Sequence, residues 1–291
     1  MPPRIAIIGA GPAGLTLARL LAIQSIVPQV FEREPSPDSR SQGGSLDLHE
    51  GTGQQAVHDS GLWEEFRKHA RYDGQEIKFL TKNCDVMFAE HPKDERDPDT
   101  KPEIDRKILR EMFLKSLDSN IIKWGYTLDS IQPQSNNPRL YDLHFKGGEI
   151  EKGFDLVVGA DGAWSHVRSL LSAAKPFYSG VSMVDIDITR PDKEEVDKFH
   201  KWDARPGLTL IGDAAHLMTP FAGEGVNVAM WDALELSKAI VAGVKEGDLD
   251  TKVRESEEAL FKRAEEACTR TESNMQQFMK TSGAPDPSAI A

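Results

Sequence analysis

The strongest constraint on the fold is a strand, a glycine-rich turn and a helix at the start of the chain. Residues Ile5–Ile8 form a short apolar run that ends in a G-x-G-x-x-G sequence. Gly9 would allow the tight turn, Gly11 the approach of backbone to a pyrophosphate, and Gly14 the close packing of helix on strand. The helix opens at Pro12, and its first N–H groups would face the phosphates. The segment therefore predicts a dinucleotide-binding βαβ unit.

A second strand, within residues 28–34, supports this interpretation. Glu32 lies at its end, 18 residues after Gly14. A carboxylate at that position accepts hydrogen bonds from the hydroxyls of an adenosine ribose, and Arg33 beside it would cover the adenine or a phosphate. These residues leave both NAD and FAD open as the dinucleotide.

Composition limits the partners and the compartment. The formal net charge is −12, from 35 Lys and Arg against 47 Asp and Glu, so we expect neither a nucleic acid nor a membrane partner. No apolar run approaches the roughly 18 residues that a membrane span needs. Cys84 and Cys268 are too isolated for a disulfide framework or a thiolate metal site, and no metal is expected. The two isolated cysteines predict a cytoplasmic protein. The start of the chain, which leads directly into a strand, predicts that there is no cleaved signal.

Two later segments repeat the glycine-turn theme. They are "LVVGADGAWSHVR", residues 156–168, and "LTLIGDAAHLMTPFAGEGVNVAMWDALELS", residues 208–237. Together with the N-terminal turn and Glu32, they resemble the three fingerprints of the class A flavoprotein monooxygenases, which include p-hydroxybenzoate hydroxylase. "GGSLDLHEGTGQ", residues 43–54, and "EIDRKILR", residues 103–110, are most similar to the tetracycline-inactivating branch. The resemblance covers nearly the whole chain.

The resemblance implies an α/β fold: a Rossmann-like FAD-binding domain with a reduced substrate-binding β-sheet and a C-terminal helix. The expected parts are a discontinuous FAD-binding domain (1–74, 98–170 and 203–248), a truncated substrate-binding sheet (75–97 and 171–202), a C-terminal helix (249–281) and a disordered tail (282–291). Local patterns predict a strand pair within 75–89, an amphipathic helix over 103–117, a buried strand at 154–158 and another strand at 181–189.

The resemblance also implies how the cofactor is held. FAD is longer than one nucleotide half-site, so the first turn would hold its pyrophosphate and the last segment its ribityl chain and flavin ring. Asp213 would accept hydrogen bonds from the ribityl hydroxyls, and the following helix would direct N–H groups at the N1 and C2 edge of the ring. Arg40 would touch the nicotinamide nucleotide. The other cofactor contacts that the resemblance implies are Asp47, Arg106, Asp161, Pro220, Gly223, Gly225, Val226 and Asn227.

The middle segment leaves two interpretations open. Asp161, Ser165 and Arg168 match the D-G-x-x-S-x-x-R pattern, which the resemblance links to the FAD pyrophosphate and to NAD(P)H. Alternatively, Asp161 and Arg168 form a structural pair, and the two interpretations are compatible.

Phe221 and Asp185 are expected to contact the substrate.

The implied activity is that of a monooxygenase. NADPH or NADH would reduce FAD, O2 would then form a C4a-hydroperoxyflavin, and an aromatic or polyketide-like small molecule of secondary metabolism would be hydroxylated. No catalytic side chain is expected, because this chemistry belongs to the flavin. His216 is expected to pack near the flavin loop rather than to act as a base. The second glycine turn disfavours an NAD-dependent dehydrogenase, and the absence of W-x-W-x-I-P disfavours a flavin halogenase.

One interval departs from the family. Asp161 and Asp213 lie 52 positions apart, where the family has a far longer segment that holds most of the substrate sheet. Three strands are predicted for that sheet, against about five to six in a typical sheet. Two explanations stay open. The chain has a shortened, open substrate site, which a second subunit of a homodimer would complete, or it is an FAD-binding remnant or partner protein without efficient hydroxylase turnover.

Overall fold

The computed structural model describes residues 2–39, 43–72, 77–80, 86–90, 100–173, 202–203, 205–218 and 222–282. The strands are β1 (Ile5–Ile8), β2 (Gln29–Glu32), β3 (Ser45–Asp47), β4 (Ile77–Leu80), β5 (Val86–Glu90), β6 (Glu103–Asp105), β7 (Ile122–Trp124), β8 (Leu128–Pro133), β9 (Tyr141–Phe145), β10 (Ile150–Phe154), β11 (Leu156–Gly159) and β12 (Leu208–Leu210). The helices are α1 (Pro12–Ala22), α2 (Gly53–Asp59), α3 (Trp63–Arg67), α4 (Arg106–Lys115), α5 (Gly225–Glu246) and α6 (Leu249–Ser282).

A five-stranded parallel sheet organises the fold, in the order β12-β11-β1-β2-β7. Every residue of β1 and β11 is buried, as expected for parallel strands covered on both faces. Strand β2 pairs with one edge of β1, whereas β11 pairs with the other edge of β1 and β12 lies beyond β11. The carboxyl ends of β1 and β11 therefore form a topological switch point, the place where open α/β sheets bind ligands. The predicted α/β, Rossmann-like class is confirmed.

Glycines make the close approach at this switch point. Gly9 has φ +108°, and a Cβ there would lie 2.3 Å from the carbonyl oxygen of Ala160, beyond β11. A Cβ on Gly14 would lie 2.1 Å from the carbonyl oxygen of Gly9. Both distances are far below van der Waals contact, so these positions exclude any side chain. The packing roles predicted for Gly9 and Gly14 are confirmed.

The long helices form a layer on the sheet and on one another. Helix α1 buries Leu15, Leu17 and Leu21, α5 packs against α1, and α6 packs against α5. Phe261 of α6 meets the ring of Trp202 edge-on at 4.6 Å. The predicted C-terminal helix is thus present as α6, which ends one residue later than expected. No helix in the described part of the chain is long and apolar enough to cross a bilayer.

The smaller sheets confirm one prediction and correct two. Strands β4 and β5 pair antiparallel, as predicted for 75–89. The helix predicted from residue 103 begins at Arg106, because 103–105 pair with β3 as strand β6. The strand predicted at 154–158 is two strands: β10 ends antiparallel to β9, and β11 begins parallel to β1. The short strands β3, β6 and β7 were not predicted.

Several expectations lie outside the described residues. They are the strand at 181–189, most of the predicted substrate-sheet segment 171–202, and the tail beyond residue 282. The division into domains stays a prediction.

A buried charged cluster joins the turn after β12 to both C-terminal helices. His216 Nε2 lies 2.5 Å from an Asp232 carboxylate oxygen, which also accepts the Gly212 N–H at 3.2 Å, while Arg263 of α6 donates to the other oxygen at 3.3 Å. Burial lowers the pKa of His216, but the charge and hydrogen bond of Asp232, with the charge of Asp213, outweigh it and raise the pKa above its usual value. His216 is therefore packed and paired inside the protein, between the turn after β12 and α5.

Gly14→Ala should destabilise the fold, whereas Gly11→Ala should not. The Cβ at position 14 clashes with backbone and would force α1 off the sheet, at a cost of about 1–3 kcal/mol or more. A Cβ at position 11 meets no atom within 4 Å, and φ there is −81°, which alanine adopts readily. Thermal unfolding of the two variants compares them directly. Equal melting temperatures would contradict the assigned packing.

The His216–Asp232 pair should make stability depend on pH. A folded-state pKa above the ordinary 6.5 stabilises the native state fully below about pH 6.5, and this contribution is lost as pH rises through the folded-state value. Relative to His216→Gln, the wild type should lose up to about 1.4 kcal/mol of unfolding free energy per pH unit over that range. Urea unfolding between pH 5.5 and 9 measures this. A pH-independent difference would show that folding does not shift the pKa of His216, and a wild-type advantage that grows with pH would show that His216 is neutral in the fold.

Candidate cofactor-binding site

A cleft of about 230 Å³ opens at the carboxyl ends of β1, β2 and β11. It is lined by six of the predicted cofactor residues: Gly9, Gly11, Glu32, Arg33, Arg106 and Asp161. The first glycine turn and the middle segment, which are about 150 residues apart in sequence, thus meet in one site.

Glu32 lies at the end of β2 with its carboxylate fixed. One oxygen accepts the N–H of Ala10 at 2.6 Å and the other the N–H of Glu34 at 3.0 Å. A carboxylate has about four acceptor positions, so further hydrogen bonds remain available to a ligand in the cleft. This geometry suits acceptance of ribose hydroxyl protons.

The floor of the cleft suits a pyrophosphate. Gly11 is the N-cap of α1, no side chain caps the helix there, and the space where its Cβ would lie is empty. Backbone N–H groups and the positive end of the helix dipole are therefore presented without a side chain in the way. The glycine pattern predicted this arrangement.

Basic side chains form one wall. Arg33 and Arg106 are exposed in the cleft, as a phosphate contact requires. Arg110 lines it too, but is buried and pairs with Glu34 at 2.9 Å, while its Nε donates to the carbonyl oxygen of Ala10 at 3.2 Å. Sequence reasoning missed Arg110. Its spacing of four residues from Arg106 on a helix was the available signal, because such residues share one face.

The side chains of the middle segment form a hydrogen-bond network rather than a single ion pair. Asp161 accepts the hydroxyl of Ser165 at 2.5 Å and the N–H of His166 at 2.7 Å. Arg168 donates instead to the carbonyl oxygens of Asp213 at 3.3 Å and Ala214 at 3.2 Å. Within the described residues Asp161 and Arg168 form no direct salt bridge; Ser165 links them, because its hydroxyl donates to Asp161 and accepts the Arg168 N–H at 3.0 Å. Arg168 joins the middle segment to the last one.

Asp213 follows β12 in a single 3-10 turn, Gly212–Ala214. Its side chain is exposed, yet protein atoms surround it closely enough that desolvation raises its pKa, against the opposing charges of His216, Arg106 and Arg168. Arg106 is therefore within electrostatic range of both the cleft and Asp213. Asp213 is not among the residues that line the cleft, and its contact with the ribityl chain stays a prediction.

The side chain of Asn227 forms hydrogen bonds with backbone groups of the protein. Its buried side chain accepts the N–H of His49 at 2.7 Å and donates to the carbonyl oxygen of Asp47 at 2.8 Å. The carboxyl of Asp47 is half-buried; burial and the charge of Glu103 raise its pKa, and Lys101 opposes them. Asn227 therefore clamps the β3 segment to the start of α5. The cofactor contacts predicted for Asp47 and Asn227 stay predictions.

The remaining predicted residues divide into two groups. Gly223, Gly225 and Val226 form the entry to α5, and the two glycines have empty space where a Cβ would lie. Arg40, Asp185, Pro220 and Phe221 lie outside the described residues. The residues that line the cleft fit the nucleotide half of FAD.

Comparisons with known proteins agree with this geometry. The FAD binding domain family matches residues 3–206 and 201–267. Monooxygenase penA of Penicillium thymicola is 33% identical over 228 residues, covering 74% of this chain and 50% of that protein. Monooxygenase asqM of Emericella nidulans is 32% identical over 236 residues, covering 76% and 52%. The chain thus spans about half the length of these curated relatives.

A solved structure shares the fold at lower identity. The crystal structure of the tetracycline destructase Tet(51) superimposes with a TM-score of 0.66 at 16% identity, covering 97% of this chain and 98% of that one. The meeting of the first and middle segments in one cleft, the two relatives and the family match lead to one conclusion: the chain belongs to the FAD-binding domain family of the class A flavoprotein monooxygenases.

Proposed function

We propose that the chain is the FAD-binding part of a monooxygenase that uses NADPH or NADH and O2 to hydroxylate an aromatic or polyketide-like small molecule. The observation that supports this proposal is that distant segments meet in one cleft, to which the last segment is linked by a hydrogen bond. Gly11 of the first turn, Glu32 at the end of β2 and Asp161 of the middle segment line the cleft. Arg168 connects the middle segment to the Asp213 carbonyl oxygen in the last segment. A dehydrogenase that bound only a nicotinamide dinucleotide would have no use for the last segment.

The residues have distinct binding tasks. Glu32 would hold the adenosine ribose, the turn at Gly11 and the side chains of Arg33 and Arg106 the pyrophosphate, and Asp213 the ribityl hydroxyls. When bound, FAD would supply the electron transfer and oxygen activation that side chains lack. The protein has to bind, orient and exclude water.

Helix α5 would stabilise charge on the ring. It is 22 residues long and begins at Gly225, so its positive dipole end is at the glycine turn. Reduction places negative charge on the N1 and C2 edge of a flavin. If that edge lies at this turn, the uncapped N–H groups of α5 favour the reduced state.

The substrate class rests on the relatives and on sequence. The matched relatives penA and asqM are named monooxygenases, and another, from Streptomyces rimosus, is named 6-methylpretetramide 4-monooxygenase. We propose by analogy an aromatic or polyketide-like substrate, with Phe221 and Asp185 as candidate contacts. Oxygen would be the second substrate.

A specific observation favours a second candidate function. Asp161 and Asp213 are 52 positions apart, and the chain spans about half of its curated relatives. A protein that keeps the FAD cleft but lacks much of the substrate-binding sheet would bind FAD without efficient hydroxylation. A homodimer that covers the open side is an alternative way to complete the site.

Asp213→Ala should weaken FAD binding about ten- to a hundred-fold, because charge-assisted hydrogen bonds worth roughly 1.5–3 kcal/mol are lost. Flavin fluorescence titration measures the dissociation constant. Asp59→Ala, which changes an exposed carboxylate of α2, is the control and should bind FAD like the wild type. A folded Asp213→Ala variant with unchanged FAD affinity would remove this assignment.

Turnover should be poorly coupled if the substrate sheet is reduced. A flavin ring open to water loses activated oxygen as hydrogen peroxide, so NAD(P)H oxidation should release peroxide with little hydroxylated product. Parallel assays of NAD(P)H, peroxide and product over a panel of phenols and polyketides test this. Product that matches NAD(P)H one for one would show a closed site and support full hydroxylase function over the remnant alternative.

A further inference from the structure

A long-range ion pair ties helix α6 to the entry of helix α5. Nε of Arg270 lies 3.3 Å from both carboxylate oxygens of Glu224, and its Nη2 lies 2.8 Å from one of them. The two residues are 46 positions apart in sequence. Such a forked contact fixes the carboxylate in orientation as well as in position.

Glu224 lies at the N-terminal end of α5, where its charge affects the potential of the helix end. Glu224 is the N-cap of α5, yet its side chain caps no N–H group of the helix. Left unpaired, its carboxylate would oppose the positive potential of the helix end, which under the proposed function faces the flavin edge. Among the described residues, Arg270 is the one side chain that forms a salt bridge with it.

A neighbouring imidazole does not supply the counter-charge. His49 lies within electrostatic range of Glu224, but burial and then the charge of Lys101 lower the pKa of His49 to about 4. It is therefore neutral near pH 7, and the guanidinium of Arg270 remains as the balancing charge.

The two glycines at the entry of α5 have open space where a side chain would begin. A Cβ on either Gly223 or Gly225 would meet no atom within 4 Å, and Gly223 has φ +63°. Asn227 holds the turn on the β3 side, and a cavity of about 370 Å³ lies between that side and α6. Glu224 and Arg270 both line this cavity.

Helix α6 is anchored where it makes the contact. Arg263, seven residues earlier and thus on the same face, donates to the buried Asp232 of α5 at 3.3 Å. Arg270 therefore extends from a helix that is already fixed against α5.

We propose that Arg270 is a positioning residue for the bound flavin. It neutralises Glu224 and draws its carboxylate toward α6, so that the entry of α5 presents its positive dipole end to the ring. This inference rests on the proposed function and adds to it a role for the C-terminal helix in setting how readily the flavin accepts negative charge.

The test uses four forms of the full chain: wild type, Arg270→Gln, Glu224→Gln and the double variant. Sulfite is the probe, because it adds to oxidised flavin and leaves negative charge on the ring. Arg270→Gln leaves Glu224 unbalanced, so sulfite affinity should fall about tenfold, which corresponds to a two-electron potential lower by about 30 mV. Glu224→Gln should bind sulfite more tightly than the wild type. The double variant should return to within about twofold of the wild type.

Controls separate charge from structure. Lys252→Gln removes a partly exposed cation at the start of α6 that pairs with Glu246 of α5 and Glu255 of α6, and it should leave sulfite affinity unchanged. Thermal unfolding and FAD affinity of each variant report a purely structural effect. A double variant as impaired as Arg270→Gln, or an Arg270→Gln protein with wild-type sulfite affinity, overturns the inference while FAD binding by the wild type leaves the proposed function standing. A wild-type chain that binds no FAD overturns both.

Discussion

The fold depends on the contact of three backbone segments at the end of β1, where no side chain fits. The carbonyl oxygen of Ala160 lies where a Cβ of Gly9 would be, and the carbonyl oxygen of Gly9 lies where a Cβ of Gly14 would be. These contacts bring β11 beside β1 and α1 down onto the sheet. Because of them, the helix end, the Glu32 carboxylate and the Asp161 network face one another across a single cleft.

Electrostatics then distinguishes the cleft from the rest of the molecule. The chain carries a net charge of −12, yet Arg33, Arg106 and Arg110 all line the cleft. Arg110 is balanced by Glu34 and supports the wall, whereas the exposed Arg33 and Arg106 suit an anionic ligand. An acidic surface with a local basic wall favours a phosphate-bearing small molecule over nucleic acid.

The sequence was most informative where a motif requires a particular backbone geometry. The glycine spacing predicted the first turn, the roles of Gly9 and Gly14, and the place of Glu32, because those features are local or depend on the absence of a side chain. It was less informative where distant segments pair. Residues 103–105 carry a helical pattern but form a strand, because residues 45–47 lie beside them. A structural pair of Arg168 with Asp161 was one of two interpretations left open, yet Arg168 donates to the carbonyl oxygens of the last segment, a partner choice that only the tertiary structure determines.

In the proposed function, one FAD molecule extends from the first glycine turn to the entry of α5. Calorimetric titration of the apo-protein with FAD, repeated in the presence of saturating ADP, tests this claim directly. One FAD should bind per chain, and ADP should weaken its binding competitively, because ADP occupies the Glu32 and Gly11 end of the same site. FAD binding that ADP does not affect, or no FAD binding by the folded protein, would contradict the account.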